Sequence, residues 1–302
     1  SSTSTLFNDF WEYTPSTNTW LSRTAFPGVA QQYAIAFTAG SKGYFGLGNG
    51  VGGYQSSLYE FNPSTNSWLS RASFAGTPRI IPAYFSIGTS GYVGLGTNNN
   101  DFWKFDTGTN SWSPISSFGA LNNINPSGFN IGDKVYVVTG ETNGNVYIND
   151  VWEWDPATEL WSQKADFPGP ARAYAAGFSI GAKGYIGMGY SAASGYLSDF
   201  YQYDQLTNTW TAKANFGGGL RRDMVSFSID KKGYVGTGSS NASTYTNDFW
   251  EYNPSSDTWI QKANIPAAAR YAATGFSIND KGYVGGGTTA TGDVMDFWQY
   301  NP

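Results

Sequence analysis

The chain has 302 residues, of which 18% are aromatic and 13% charged, and it carries a formal net charge of −5. It contains neither Cys nor His, which excludes disulfides, thiolate nucleophiles, imidazole bases and Cys/His metal sites. No Lys/Arg run suits a phosphate backbone and no apolar run is long enough to span a bilayer, so nucleic acid, membrane insertion and cofactors are not expected.

From the N-terminus, the first predicted elements are two strands within Phe7 to Arg23, opened by Asp9-Phe10-Trp11. That tripeptide returns as Asp101-Phe102-Trp103, Asp248-Phe249-Trp250 and Asp296-Phe297-Trp298. Drifted copies are Ser57-Leu58-Tyr59, Asp150-Val151-Trp152 and Asp199-Phe200-Tyr201, with steps of 48, 44, 49, 49, 49 and 48 residues. A period of this length marks a propeller or a solenoid. The stretch from Arg172 to Trp210 shows the unit. Ala173 to Ile180 reads as a first strand, Tyr185 to Gly189 as a second, Asp199 to Tyr203 as a third and Thr209 to Lys213 as a fourth, with Gly and Asp/Asn turns between. No apolar period of 3.6 is sustained, so helix is not expected.

Third and fourth strands are joined by a fixed spacing. An aromatic precedes a Trp by seven residues in Tyr13/Trp20, Phe61/Trp68, Phe105/Trp112, Trp154/Trp161, Tyr203/Trp210 and Tyr252/Trp259. Turns such as Thr14-Pro15-Ser16-Thr17-Asn18 set the hairpin register between them. Rings placed so regularly are expected to pack between sheets rather than to stack ligands. First strands instead carry small residues (Ala34, Ala36, Ala83, Ala175, Ala176, Gly177, Ala272, Ala273, Gly275), which suits the crowded axis of a propeller.

An Arg-led inner strand, a Gly-ended second strand and the aromatic-x6-Trp pair together resemble the kelch repeat, and the resemblance covers essentially the whole chain. The family's Gly-Gly doublet is Gly-x-Gly in most copies (Gly46-Leu47-Gly48, Gly94-Leu95-Gly96) and is kept at Gly285-Gly286-Gly287. The resemblance is to exported bacterial kelch-repeat proteins and implies an all-β propeller of four-stranded antiparallel blades filling residues 1–302, and the count of six first, six second, seven third and six fourth strands makes it six-bladed. The chain opens with third and fourth strands and closes with first, second and third ones (Tyr271 to Asn301), so its two ends are expected to share a blade. One third-strand copy is then surplus, and the sequence does not say which.

The loop face around the central channel is the expected ligand face. At the entrance to the first strand the six copies align as Gln31, Arg79, Asn123, Arg172, Arg221 and Arg270. Loops after the second strand carry Tyr54, Tyr147, Tyr196 and Tyr245 at similar places. Arginine forks beside tyrosines can recognise carboxylates and planar groups. A repeated arginine can equally fasten the ring by pairing with an acid or with backbone carbonyls. Blade three departs from the pattern with Asn122, Asn123, Asn125 and Glu141, and in blade five Asp223 follows Arg221-Arg222.

Gly48 to Gly53 fits G-x-G-x-x-G without a following helix and reads as a loop. A Ca²⁺ site at Asn98 to Asp101 would have too few oxygens. Within the family resemblance, copper-radical oxidase activity would need His and Cys, and sialidase boxes are absent. The sialic-acid mutarotase, which relies on acids and arginine, leaves Glu141 or Asp223 beside Arg221 as conceivable proton-transfer groups. The expected function is a non-catalytic recognition or adhesion module for a protein or glycan. Its alternatives are a metal-free sugar mutarotase or isomerase and a structural domain of a larger surface protein. Ser1 with no apolar leader after it is expected to be a processed start, and the polar loops and low charge suggest a bacterial chain that is secreted or shown at the cell surface.

Overall fold

A computed structural model describes residues 5–97, 99–119, 123–142 and 146–289. Among them there is no helix, and six antiparallel sheets carry the fold, five of four strands and one, blade 3, with the short strand Asn123–Ile124 added to its four. Blade 1 runs Ile35–Ala39, Lys42–Gly46, Leu58–Asn62, Ser67–Arg71, and blade 2 runs Ala83–Ile87, Ser90–Gly94, Phe102–Asp106, Ser111–Ile115. Blade 3 has the longer strands Lys134–Thr142 and Val146–Asp155 between Ser127–Ile131 and Leu160–Gln163. Blade 4 is Ala176–Ile180, Lys183–Gly187, Phe200–Asp204, Thr209–Lys213, and blade 5 is Val225–Ile229, Lys232–Gly236, Phe249–Asn253, Thr258–Lys262. In blade 6, Thr274–Ile278 and Lys281–Gly285 from the C-terminal part pair with Phe10–Thr14 and Thr19–Ser22 from the N-terminal part, with Trp11 opposite Val284. The N-terminal copy of the third strand therefore fills the closing blade, and the copy at Asp296 to Trp298 lies outside the described residues.

Each strand follows the chain outward from the axis, and the first strands touch one another in cyclic order. The small first-strand residues allow that crowding. Packing between blades repeats one device. The first-strand phenylalanine of each blade lies over a second-strand glycine of the next: Phe37 over Gly91, Phe129 over Gly184, Phe178 over Gly233, Phe227 over Gly282 and Phe276 over Gly43. Blade 3 has Val135 at this place, and the preceding ring, Phe85, lies against Gly128 instead. A Cβ on Gly184 would sit 2.2 Å from the Phe129 ring. Gly184→Ala is expected to cost about 1–3 kcal/mol through overpacking, read as a lower midpoint in urea unfolding; an unchanged midpoint would show that Phe129 moves aside freely.

The outer tryptophans also lie between blades, as the ring spacing implies. Trp20, Trp68, Trp112, Trp210 and Trp259 donate their Nε1–H to the carbonyls of Ala263, Thr24, Ala72, Ala165 and Ala214, each following the outer strand of the preceding blade, at 2.8–3.1 Å. The turn residue two before the Trp adds a second strap. Asn18, Asn66, Asn110, Asn208 and Asp257 adopt φ of 49–55° and accept from the backbone N–H of Ala263, Thr24, Ala72, Ala165 and Ala214. Asn and Asp tolerate this left-handed geometry, which is why the turn repeats them.

The observed first strand of blade 4 begins at Ala176, later than the apolar run suggests. Ala173 forms an isolated bridge to Tyr190 and Tyr174 has φ of 60°, so the extended backbone is interrupted where the chain enters the blade. The second strand, Lys183–Gly187, begins within the expected turn. Asn49–Gly50 and Gly53–Tyr54 form a small hairpin, so the glycine-rich loop has no helix after it.

Candidate functional site

The aligned arginines do not line an open mouth, and that expectation is corrected. Arg79, Arg172, Arg221 and Arg270 are buried, and each clamps an acid of its own blade: Asp101, Asp199, Asp248 and Asp9, through two Nη–Oδ contacts of 2.5–3.0 Å. The same Nη1 donates to a carbonyl at the end of the second strand (Leu95, Met188, Thr237 or Gly286). The guanidinium carbons lie 4.1–5.5 Å from the ring centroids of Phe74, Phe167, Phe216 and Phe7. These four forks join strand entrance, second-strand end and third-strand start, so the fastening alternative describes them. Burial alone would raise the Asp248 carboxyl, but hydrogen bonds from Arg221 and its charge outweigh that and hold it below the usual range. Gln31 is also buried, with both side-chain polar atoms unpaired, opposite Ser57 where the other blades have Asp. Asn123 holds the corresponding place in blade 3, paired through its backbone with Thr142.

What does line the mouth is the residue two places further on. Tyr33, Ile81, Asn125, Tyr174, Asp223 and Ala272 occupy equivalent positions in the six blades, and all have φ between 51 and 60°. The cause is visible in the backbone. Tyr33 N–H donates to Ala272 O, Ala272 N–H to Asp223 O, Asp223 N–H to Tyr174 O and Tyr174 N–H to Asn125 O, so a line of backbone hydrogen bonds passes from blade to blade around the axis. Turning the N–H toward the neighbour places Tyr33, Ala272, Asp223 and Tyr174 in a conformation that L side chains seldom adopt, and these four hydrogen bonds maintain it. Beneath them is a cavity of about 120 Å³. Tyr84 borders both this cavity and a lower one of about 270 Å³, and its hydroxyl lies 2.9 Å from Thr274 Oγ1 across the channel.

Three polar groups converge on one side of the mouth. Glu141, buried, accepts from Asn125 Nδ2 at 2.6 Å and from the Tyr174 hydroxyl at 3.1 Å. Asp223 is 9% exposed, and its Oδ2 has no hydrogen-bond partner; the nearest cation atom is Arg222 Nε at 3.4 Å. Burial pushes the Asp223 carboxyl up to about 7, against the pull of Arg222 and with a smaller push from Glu141. Burial, with Asp223 next, also raises the Tyr33 hydroxyl far above its ordinary value. Arg222 lies over the rings of Tyr174, Tyr190 and Tyr196 at 5.2–5.4 Å, yet among the described residues its guanidinium makes no hydrogen bond. It contrasts with the four clamping arginines, whose Nη groups are all engaged.

The loop tyrosines divide. Tyr196 belongs to the Arg222 cage, Tyr147 packs 6.0 Å from Tyr190 beside it, and Tyr245 stacks at 4.8 Å on Tyr271, which meets Tyr33 edge-on. Tyr54 stands about half exposed on its hairpin, apart from this cluster. Asp223 has Arg222 for its neighbour, not Arg221, which is committed to Asp248. Asn122 and Asn98 lie outside the described residues.

A closed ring of four-stranded sheets with an axial mouth defines a β-propeller. Residues 127–302 match the family model KLHDC2/KLHL20/DRC7 Kelch-repeats domain, and the chain belongs to the kelch-repeat family. The solved structure described as "Structure of YjhT" is similar to it with a TM-score of 0.68 at 17% identity, covering 81% of this chain and 87% of that one; at such identity the likeness concerns the fold. A search of curated proteins finds no match.

Proposed function

We propose that this propeller is a non-catalytic recognition module, secreted or displayed at a cell surface, that holds a protein or glycan on the face where the channel opens. The carrying observation is Arg222, a cation supported by three tyrosine rings whose Nε has no hydrogen-bond partner and faces Asp223 Oδ2 at 3.4 Å. A guanidinium fork so placed suits a planar anionic group such as a carboxylate, which it can bind through two parallel hydrogen bonds. The tyrosines around it offer apolar faces with polar edges, the mixture that interfaces favour. Membership of the kelch family supports protein binding; the glycan reading, the setting outside the cell and the place in a larger surface assembly rest on composition and loop chemistry. The test is a paired screen of an acidic-peptide array and a glycan array with the wild type and Arg222→Ala. Arg222→Ala is expected to weaken the hit at least tenfold while its melting temperature stays within a degree or two. A hit indifferent to this change would overturn the assignment of the site.

One observation favours the metal-free sugar mutarotase or isomerase as a second reading. Asp223, with its carboxyl at about 7, lines the small cavity, and Glu141 accepts hydrogen bonds from Asn125 and Tyr174, which line it as well, so two acids stand near one site as general acid–base chemistry requires. NMR exchange between the anomers of sialic acid measures it directly; rates equal with and without protein would remove this reading.

A further inference from the structure

The mouth holds unspent acceptors as well as unspent donors. Asn125 Oδ1 and Asp223 Oδ2 are both buried, both without a hydrogen-bond partner, and both belong to residues lining the upper cavity. They come from blades 3 and 5, with Tyr174 of blade 4 between them. A buried acceptor without a partner in the protein favours a ligand that brings a donor to it. Arg222 asks for the opposite, a group that accepts. We propose that the mouth recognises a zwitterionic group, an ammonium seated between Asp223 Oδ2 and Asn125 Oδ1 with a carboxylate beside it on the Arg222 fork; this rests on the Arg222 reading above and names its ligand class.

Three features choose a zwitterion over a simple acid or polyol. Charge is the first. The mouth has one guanidinium, Arg222, and two carboxyl groups, Asp223 and Glu141, so a carboxylate alone would bring a further acidic group beside them in a buried site. A zwitterion adds no net charge. The second is spacing. Arg222 Nε lies 3.4 Å from Asp223 Oδ2, so the two ligand charges must sit on the same or neighbouring carbons, as the ammonium and carboxylate of an α-amino acid do. The third is the wall. Tyr33 and Tyr174 border the cavity with aromatic rings, which favour a cation over a neutral hydroxyl. A volume of about 120 Å³ has room for a group the size of one small residue.

This chemistry has two sources, a free amino acid or the acidic N-terminal residue of a peptide, whose α-ammonium and side-chain carboxylate also lie close together. Calorimetric titration of the intact chain with alanine, propionate, ethylamine, lactate and a pentapeptide beginning with Asp separates them. Alanine or the peptide is expected to bind at least tenfold more tightly than propionate, ethylamine or lactate, and whichever binds names the source. Arg222→Met and Asp223→Asn are each expected to reduce that binding at least tenfold while circular dichroism stays native. If lactate binds as well as alanine, the ammonium is not read and the inference falls while the carboxylate role of Arg222 stands. If none of these probes binds but an acidic array hit still depends on Arg222, the inference fails alone. If Arg222→Met leaves every interaction intact, both readings fail.

Discussion

Arg270→Met is expected to lower stability by about 3 kcal/mol, the lower part of the range for breaking a buried ion pair. The size follows from what the fork joins. Its Nη1 and Nη2 hold Asp9 at 2.5 and 2.8 Å, Nη1 also reaches Gly286 O at 3.0 Å, and Nε donates to Ala268 O. Asp9 stands at the start of the N-terminal strand of blade 6, so this clamp crosses the seam that closes the ring. Methionine fills the volume over Phe7 but leaves the Gly286 carbonyl and the Asp9 carboxylate without their donor. Asp9 keeps Trp11 Nε1 as a partner and is 31% exposed at its side chain, which lets water take over part of the charge and keeps the loss from the upper end. For a chain of this size the melting temperature should fall by about 5 °C. Asp9→Asn should lose less, because Arg270 retains its carbonyl partners, and the double variant should not add the two losses. Equal stability of Arg270→Met and wild type would remove the clamp from the account of ring closure.

Asp223→Asn is expected to act in the opposite direction. A carboxyl raised from 3.8 to about 7 by burial keeps its proton in the folded protein while the unfolded chain has already lost it. The folded state therefore binds more protons between those values, and stability falls as pH rises from about 4 to about 7, then levels off. At about 1.4 kcal/mol for each pH unit separating the folded and unfolded values, the ionised Asp223 costs on the order of 4 kcal/mol above pH 7. The groups facing it are Arg222, which opposes the rise, and Glu141, which adds to it. Asparagine carries no charge to bury, so the variant should be a few kcal/mol more stable than wild type at pH 8 and close to it at pH 4. Urea midpoints of both proteins at pH 4, 6 and 8 provide the comparison. A difference that does not grow with pH would mean that Asp223 is ionised at little cost. The same variant should lose the proposed ligand, a gain in stability bought with a loss of recognition, as sites that bury a carboxyl group for binding tend to show.

The architecture was legible because a repeat states its rule six times. Aromatic-x6-Trp fixes a hairpin, and six equal hairpins with small residues at one end and tryptophans at the other leave few arrangements besides a ring. The exposed turn asparagines, the second-strand glycines and the Asp-Phe-Trp openings all serve packing that recurs in each blade, so their purpose survives translation from sequence to structure. The arginine column misled for the same reason. A residue needed at the same place in four blades was serving the repeat, and its acid partner was already in view as the first letter of Asp-Phe-Trp. In blade 1 the two change together, to Gln31 and Ser57, and that paired change was a signal that the arginine and the aspartate belong to one another.

Chain order, strand number and the axis-to-rim direction were determined by the sequence itself, since they depend on local spacing, side-chain size and turn chemistry. Only the tertiary structure decided which side chains face the channel, because that depends on a left-handed turn imposed by backbone hydrogen bonds between blades. Tyr33, Asn125, Tyr174 and Asp223 lie scattered over 190 positions of chain, in a column whose chemistry does not repeat. Asn125 and Asp223 stand out in the sequence as departures from the repeat, but nothing local marks Tyr33 and Tyr174 as their neighbours. Closing the ring brings them within reach of one another, and burial there gives Asp223 and Arg222 the unspent bonds on which the proposed recognition depends.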